Sequence, residues 1–293
     1  MESLLFAFET NSWLFLTSVA FIGLAVGSFL NVVIYRLPIM LEKEWQRECK
    51  EYLALEDESN TQDKADVFTL AKPASSCPKC NHKIRPWENI PVISYLILGG
   101  KCASCGVHIS AQYPVVEAVT GILSALVALK FGVTLETVFG LIFTWSLITL
   151  TMIDAKTQLL PDNITLPLLW LGILINTSST YTDLQSSVFG AITGYLILWV
   201  VYKVFKLLTG KEGMGYGDFK LLAALGAWMG WQMLPQVILL SSLVGTIVGV
   251  SMMAFNQHKR GTPIPFGPYL AIAGWIAFIW GTEINQSWLN LYT

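Results

Sequence analysis

The 293 residues are 54% hydrophobic and only 13% charged, a balance that a protein surrounded by water does not carry. A net charge of −2 supplies no basic field for a polyanion, which excludes nucleic acid as a partner. Many of the eleven Trp lie near the ends of apolar runs, where an indole ring and its N–H meet the lipid–water boundary.

The first apolar run, residues 13–35, is too long for the core of a secretory leader and follows Glu2 and Glu9 rather than basic residues. It reads as a retained helix. Gly23 and Gly27 within it are four residues apart, as are Gly190 and Gly194, and Gly245 and Gly249, further on. Small residues at that spacing let membrane helices approach backbone to backbone, so these pairs are assigned to the scaffold.

Residues 36–111 form the one long polar segment and predict an insert outside the bilayer. Charges of both signs from Glu42 to Glu51 predict a solvated helix, and the charge-rich stretch continues to Asp66. Two pairs of cysteines follow, Cys77-Pro-Lys-Cys80 and Cys102-Ala-Ser-Cys105, with twenty-one residues between them. Each C-x-x-C turn aims two thiolates at one centre, and two turns complete a closed tetrahedron about Zn2+, a structural site. Disulfides or a thiol redox motif are the alternatives. A reducing compartment and the lack of a surrounding βαβ pattern argue for the metal. His82 and His108 either replace a ligand or lie on the surface, and Cys49 reads as an ordinary thiol.

Seven more apolar runs, at residues 112–130, 133–153, 163–180, 185–206, 218–234, 235–256 and 266–284, bring the expected total to eight helices. With the N-terminus outside, every Lys and Arg except Lys130 falls on the cytoplasmic side, as the retention of positive charge during insertion requires. The expected fold is an all-α, polytopic membrane bundle of about eight transmembrane helices with a cytosolic zinc-knuckle insert. Its divisions are residues 1–35 for the first transmembrane helix, 36–111 for the insert with the four-cysteine zinc site, and 112–293 for the catalytic bundle.

An Asp at the centre of a membrane helix costs at least ~2.5 kcal/mol, so each one asks for a function. Asp154 closes one span and Asp218 opens another, in Gly215-Tyr-Gly217-Asp218-Phe-Lys220. The charge-based topology brings both to the cytoplasmic boundary. Two carboxyls meeting in a partly dry site share a proton, the aspartic-protease arrangement, in which one takes a proton from water and the other gives one to the scissile carbonyl or leaving amine. Gly215 and Gly217 are expected to allow positive φ and close approach to a substrate strand. The bland alternative makes both aspartates helix-end residues, Asp218 acting as a cap or dipole partner. Asp162 reads as a cap for the helix that follows it. Glu117, inside its span, must be neutral, paired or facing water, and Lys220 either snorkels or contacts a carboxylate.

In combination, Gly27-Ser-Phe-Leu-Asn-Val-Val-Ile-Tyr-Arg-Leu-Pro38, Asn89-Ile-Pro-Val-Ile-Ser-Tyr95, Tyr113-Pro-Val-Val-Glu117, Ile153-Asp154 with Leu160-Pro-Asp162, and Gly215-Tyr-Gly-Asp-Phe-Lys220 resemble the type IV prepilin peptidases, GxGD aspartyl membrane proteases. The resemblance implies a bacterial inner-membrane enzyme with its active site facing the cytosol. It implies Asp154 and Asp218 as the catalytic pair and Cys77, Cys80, Cys102 and Cys105 as the metal site. It further implies prepilins and type II secretion pseudopilins as substrates, and methylation of the new amino terminus with S-adenosylmethionine. No G-x-G-x-x-G unit in the sequence speaks for methyl transfer independently. Two rivals are a presenilin-like GxGD protease, which lacks the cysteine tetrad, and a transporter or assembly scaffold, which should show duplicated halves.

Overall fold

The computed structural model describes residues 2–53, 68–254 and 265–290; residues 54–67 of the charge-rich stretch, and Lys259 and Arg260, lie outside them. Among the described residues the only extended pairing is two isolated β-bridges, and helices occupy all eight expected positions. Four of these, together with Trp231–Met252, are long and apolar enough to cross a bilayer. The chain divides into two compact units, Met1–Val133 and Thr134–Thr293.

In the first unit, α1 (Glu2–Thr10) leads into α2 (Ser12–Tyr52), where Asn11 Oδ1 accepts from the Leu14 N–H at 3.1 Å. The 41 residues of α2 rise roughly 60 Å, about twice the hydrocarbon thickness. The expected solvated helix is therefore the continuation of the membrane helix through Pro38 rather than a separate element. At the changeover, buried Arg36 donates to the carbonyls of Thr69, Leu70 and Pro73 at 2.9, 3.3 and 2.7 Å, so its charge does not face lipid. After a 3-10 turn at Pro86–Asn89 come α3 (Ile93–Ile97) and α4 (Gln112–Phe131). Helices α2 and α4 touch through the expected glycines: a Cβ on Gly23 would lie 2.6 Å from Ser124 Oγ, and one on Gly27 2.7 Å from the Glu117 Cα.

The second unit comprises α5 (Leu135–Thr157), α6 (Asp162–Asn176), α7 (Leu184–Thr209), α8 (Tyr216–Met229), α9 (Leu234–Ala254) and α10 (Gly267–Leu289). Helix α8 is its centre. Every residue from Leu221 to Met229 is buried, as befits a helix that is apolar all round. Gly190 and Gly226 bring α7 and α8 into backbone contact, Gly172 admits the Trp228 indole from α6, and Gly274 of α10 receives Leu225. Trp228 stacks with Phe143, Tyr181 and Phe278, and its Nε1–H donates to the Leu168 carbonyl at 2.8 Å.

The C-terminal end of α8 is held by Asn176, which is fully buried and uses its whole hydrogen-bonding capacity. Nδ2 donates to the carbonyls of Ala227 and Trp228 at 2.9 and 3.1 Å, and Oδ1 accepts from the Tyr181 and Thr182 N–H groups at 3.0 and 3.3 Å. Asn176→Leu, nearly isosteric, strands these buried groups and should lower unfolding stability in detergent by about 3 kcal/mol. A change under about 0.5 kcal/mol in denaturant titration contradicts this account of how α8 ends.

Candidate active site

Asp154 sits in the last turn of α5. The helix closes on Gln158, at φ 54, whose N–H returns to the Asp154 carbonyl at 2.9 Å. The chain then runs extended through Pro161 and re-forms as α6. Asp218 lies in the first turn of α8, two residues after Tyr216, with its N–H bonded to the Gly215 carbonyl at 3.3 Å. Both aspartates are buried, at 5% and 7% exposure. Oδ2 of Asp154 is buried with no hydrogen-bond partner among the described residues.

Leu160 joins the elements around this pair. A Cβ on Gly217 would fall 2.8 Å from the Leu160 Cβ, and one on Gly267 would fall 3.2 Å from Leu160 Cδ1 and 2.6 Å from Asp154 Oδ2. Gly267, the first residue of α10, thus brings a helix N-terminus to Asp154, as the start of α8 does for Asp218. The sequence reading missed it. The string Pro265-Phe-Gly-Pro268 marks a helix start, but nothing in it points to the carboxylate across from it.

Two expectations change here. Gly215 has φ −82, in the ordinary extended region, and Gly217 is helical, so neither glycine supplies positive φ. Their difference is steric. Gly217 is packed against Leu160, whereas a Cβ on Gly215 would meet only Asp218 Oδ2, at 3.9 Å. Asp162 does not cap α6, because Pro161 holds the cap position and no side chain bonds there. Both Asp162 oxygens instead accept from Lys220 Nζ at 2.7 Å, tying the start of α6 to that of α8.

In the other unit the four predicted cysteines converge, their Sγ atoms all within 4.8 Å of one another. Cys77 and Cys105 are 3.8 Å apart, and Cys80 and Cys102 4.0 Å. A tetrahedral ion with metal–sulfur bonds of about 2.3 Å sets its ligands roughly 3.8 Å apart, so the donor set fits a metal. The two turns repeat each other bond for bond at an offset of 25 residues. Cys77 N–H donates to His82 O as Cys102 N–H does to Val107 O, Asn81 to Cys77 O as Gly106 to Cys102 O, and Ile84 to Ser75 O as Ile109 to Gly100 O. Asn81 and Gly106 both take positive φ, at 55° and 67°. The N–H groups of Cys80 and Lys79 hold the Cys77 thiol down at about 6, and those of Cys105 and Ser104 lower Cys102, whereas Cys105, although the Val107 N–H lowers it, is pushed up to about 11 by burial and the neighbouring thiols. Neither histidine belongs to the cluster, and His82 Nε2 lies 3.1 Å from Glu88. Glu117 is buried and its Oε2 accepts the Val92 N–H at 2.7 Å.

With this geometry in place, comparison with known proteins is specific. Residues 21–131 match the bacterial peptidase A24 N-terminal domain, and residues 141–250 match the type IV leader peptidase family. A prepilin leader peptidase/N-methyltransferase of Pseudomonas aeruginosa is 56% identical over 92% of this chain and 91% of its own. Proteins of the same description from Stutzerimonas stutzeri and Neisseria gonorrhoeae are 53% and 52% identical, over 96% and 88% of both chains. No solved structure matches the chain.

The steric difference between the glycines can be measured. Gly217→Ala and Gly267→Ala each force a tightly packed neighbour to move, at a typical cost of about 1–3 kcal/mol, and should lower the melting temperature by a few degrees. Gly215→Ala should leave it within about a degree. Equal losses at all three positions would contradict the packing described.

Proposed function

Because the chain belongs to the type IV leader peptidase family, we propose that Asp154 and Asp218 are the carboxylate pair that hydrolyses its substrate. The activity is that of its relatives: removal of the prepilin leader peptide and N-methylation of the amino terminus so exposed. Membership sets aside the presenilin-like and transporter alternatives.

The single observation that supports the pair is the convergence, about Leu160 and Gly267, of the helix ends that carry these two buried acids, far apart in sequence. In the mechanism, the ionised member takes a proton from water as its oxygen attacks the scissile carbonyl, and the protonated member delivers a proton that ends on the leaving amine. Water's OH joins the carbonyl carbon and its hydrogen the nitrogen. The absent Cβ of Gly267 leaves room for Asp154 Oδ2, and Lys220, bound to Asp162, fixes the first turn of α8 and with it Asp218.

Cys77, Cys80, Cys102 and Cys105 hold Zn2+ in this reading, which supplies structural closure and leaves no position for water. S-adenosylmethionine provides an activated methyl group, as the methyltransferase name of the relatives implies. Among the described residues there is no strand–turn–helix unit of the dinucleotide-binding kind, so the donor is assigned no residues. Substrates include pseudopilins of type II secretion as well as prepilins. The chain resides in the bacterial inner membrane, and the placement of nearly all its Lys and Arg supports an active site on the cytosolic side.

Asp154→Asn and Asp218→Asn should each give a folded, inserted protein whose cleavage of a purified prepilin, followed by mass spectrometry, falls at least about 100-fold. Normal cleavage by either variant excludes the two-carboxylate mechanism. Metal analysis under reducing, chelator-free conditions should find about one zinc per chain, none of it in Cys77→Ser. Cys77→Ser should still shorten the prepilin but lose the methyl mass increment. Loss of metal with both reactions unchanged removes the role given to the insert.

A further inference from the structure

Between the two cysteine turns, the chain from Asn89 to Gly100 carries no charged residue. Together with Trp87 it presents Ile90, Ile93, Leu96 and Ile97 outward, with Leu96 70% and Ile97 79% exposed. A contiguous apolar surface of this kind is not left facing water without a use. The polar sequence around it gave no reason to separate this stretch from the insert.

Its two anchoring contacts reach into the membrane helices. Asn89 Nδ2 donates to Ser28 Oγ at 3.2 Å, and the Val92 N–H donates to Glu117 Oε2 at 2.7 Å. Ser28 precedes Arg36 by eight residues, or about 12 Å of α2, and Glu117 follows the first residue of α4 by five, or about 7.5 Å. Both partners thus lie inside the apolar part of their helices, roughly one and a half to two turns from its polar end.

We propose that residues 86–98 are a re-entrant loop embedded in the leaflet where the apolar part of α2 ends and α4 begins, with lipid acyl chains covering its apolar face. Backbone within lipid must have its polar groups bonded by the protein, and the loop bonds several of its own. Ser94 N–H donates to Ile90 O, Leu96 N–H to Val92 O and Leu98 N–H to Ser94 O, while Pro91 has no N–H to bond. Val92 stands at the bend with φ 60, and Glu117 accepts its N–H. That contact gives a buried acid in a membrane helix a purpose outside the chemistry. The charges near the loop stay at its rim. Arg85 lies over the Trp87 ring at 5.5 Å, and Glu88 turns to His82 and the Arg85 N–H. Lipid is the occupant because the surface continues onto the exposed apolar faces of α2 and α4, at Phe29 and Val115.

The test is photocrosslinking of the full chain in phospholipid vesicles, with p-benzoylphenylalanine replacing Leu96, or Lys79 in the cysteine turn as a water-facing control. Mass spectrometry should find phospholipid adducts at position 96 at least several-fold above those at position 79. Equal capture at the two positions, no lipid adduct at position 96, or adducts to another protein alone would each overturn the proposal. In the same format Glu117→Gln, which still offers an oxygen to the Val92 N–H, should keep the capture at position 96. Glu117→Ala should reduce it several-fold, and unchanged capture there overturns the anchoring given to Glu117. Should the alanine variant not fold, the comparison of positions 96 and 79 decides alone.

Discussion

An ionisable side chain inside hydrocarbon must receive its partners from the protein, and the structure is organised around meeting that demand. An Asp at membrane depth costs at least ~2.5 kcal/mol when isolated. Asp154 and Asp218 meet the positive ends of α10 and α8, where the unbonded N–H groups of a first turn favour negative charge. Arg36 is surrounded by three carbonyls and Glu117 takes a backbone amide. For Arg36 and Glu117 the polar group is satisfied by main chain, which cannot drift away as a long side chain can.

The position of the two aspartates also depends on how closely helices pack. Lipid provides no hydrophobic drive between helices, so contact depends on shape, and glycine makes contact possible. In the second unit α8 is enclosed through Gly190, Gly172 and Gly274, and its far end is fixed by Asn176. With its body immobilised, the position of its first turn, and so of Asp218, is set. The Leu160 side chain against Gly217 and Gly267, and the Asp162–Lys220 pair, then bring α5, α6, α8 and α10 to one place.

The sequence made much of this legible. Apolar length located eight of the ten described helices, and cysteine spacing located the cluster of four thiols, because both follow from local periodicity. The two aspartates stood out because charge in an apolar run is rare. What escaped depended on contacts distant in sequence. Gly267 looks like any helix start until Asp154 is placed beside it, and Asp162 looks like a cap until Lys220 arrives from 58 residues away. The role expected of Gly215 and Gly217 was drawn from the conformations glycine can adopt, whereas in Gly217 the missing Cβ is what matters. The solvated helix beyond Tyr35 was visible, but its continuity with α2 through Pro38 was not, since proline ordinarily argues for a break.

The matched cysteine turns have a topological result for the chain between them. Cys80 and Cys102 Sγ atoms lie 4.0 Å apart, so the intervening residues start and finish at one point, like a ring held by a clasp. Closing a ring of that size removes chain entropy once, and lengthening it adds only about 0.6 kcal/mol per doubling. The clasp can therefore stay constant while the ring varies in size among relatives, provided that both copies of the turn are kept.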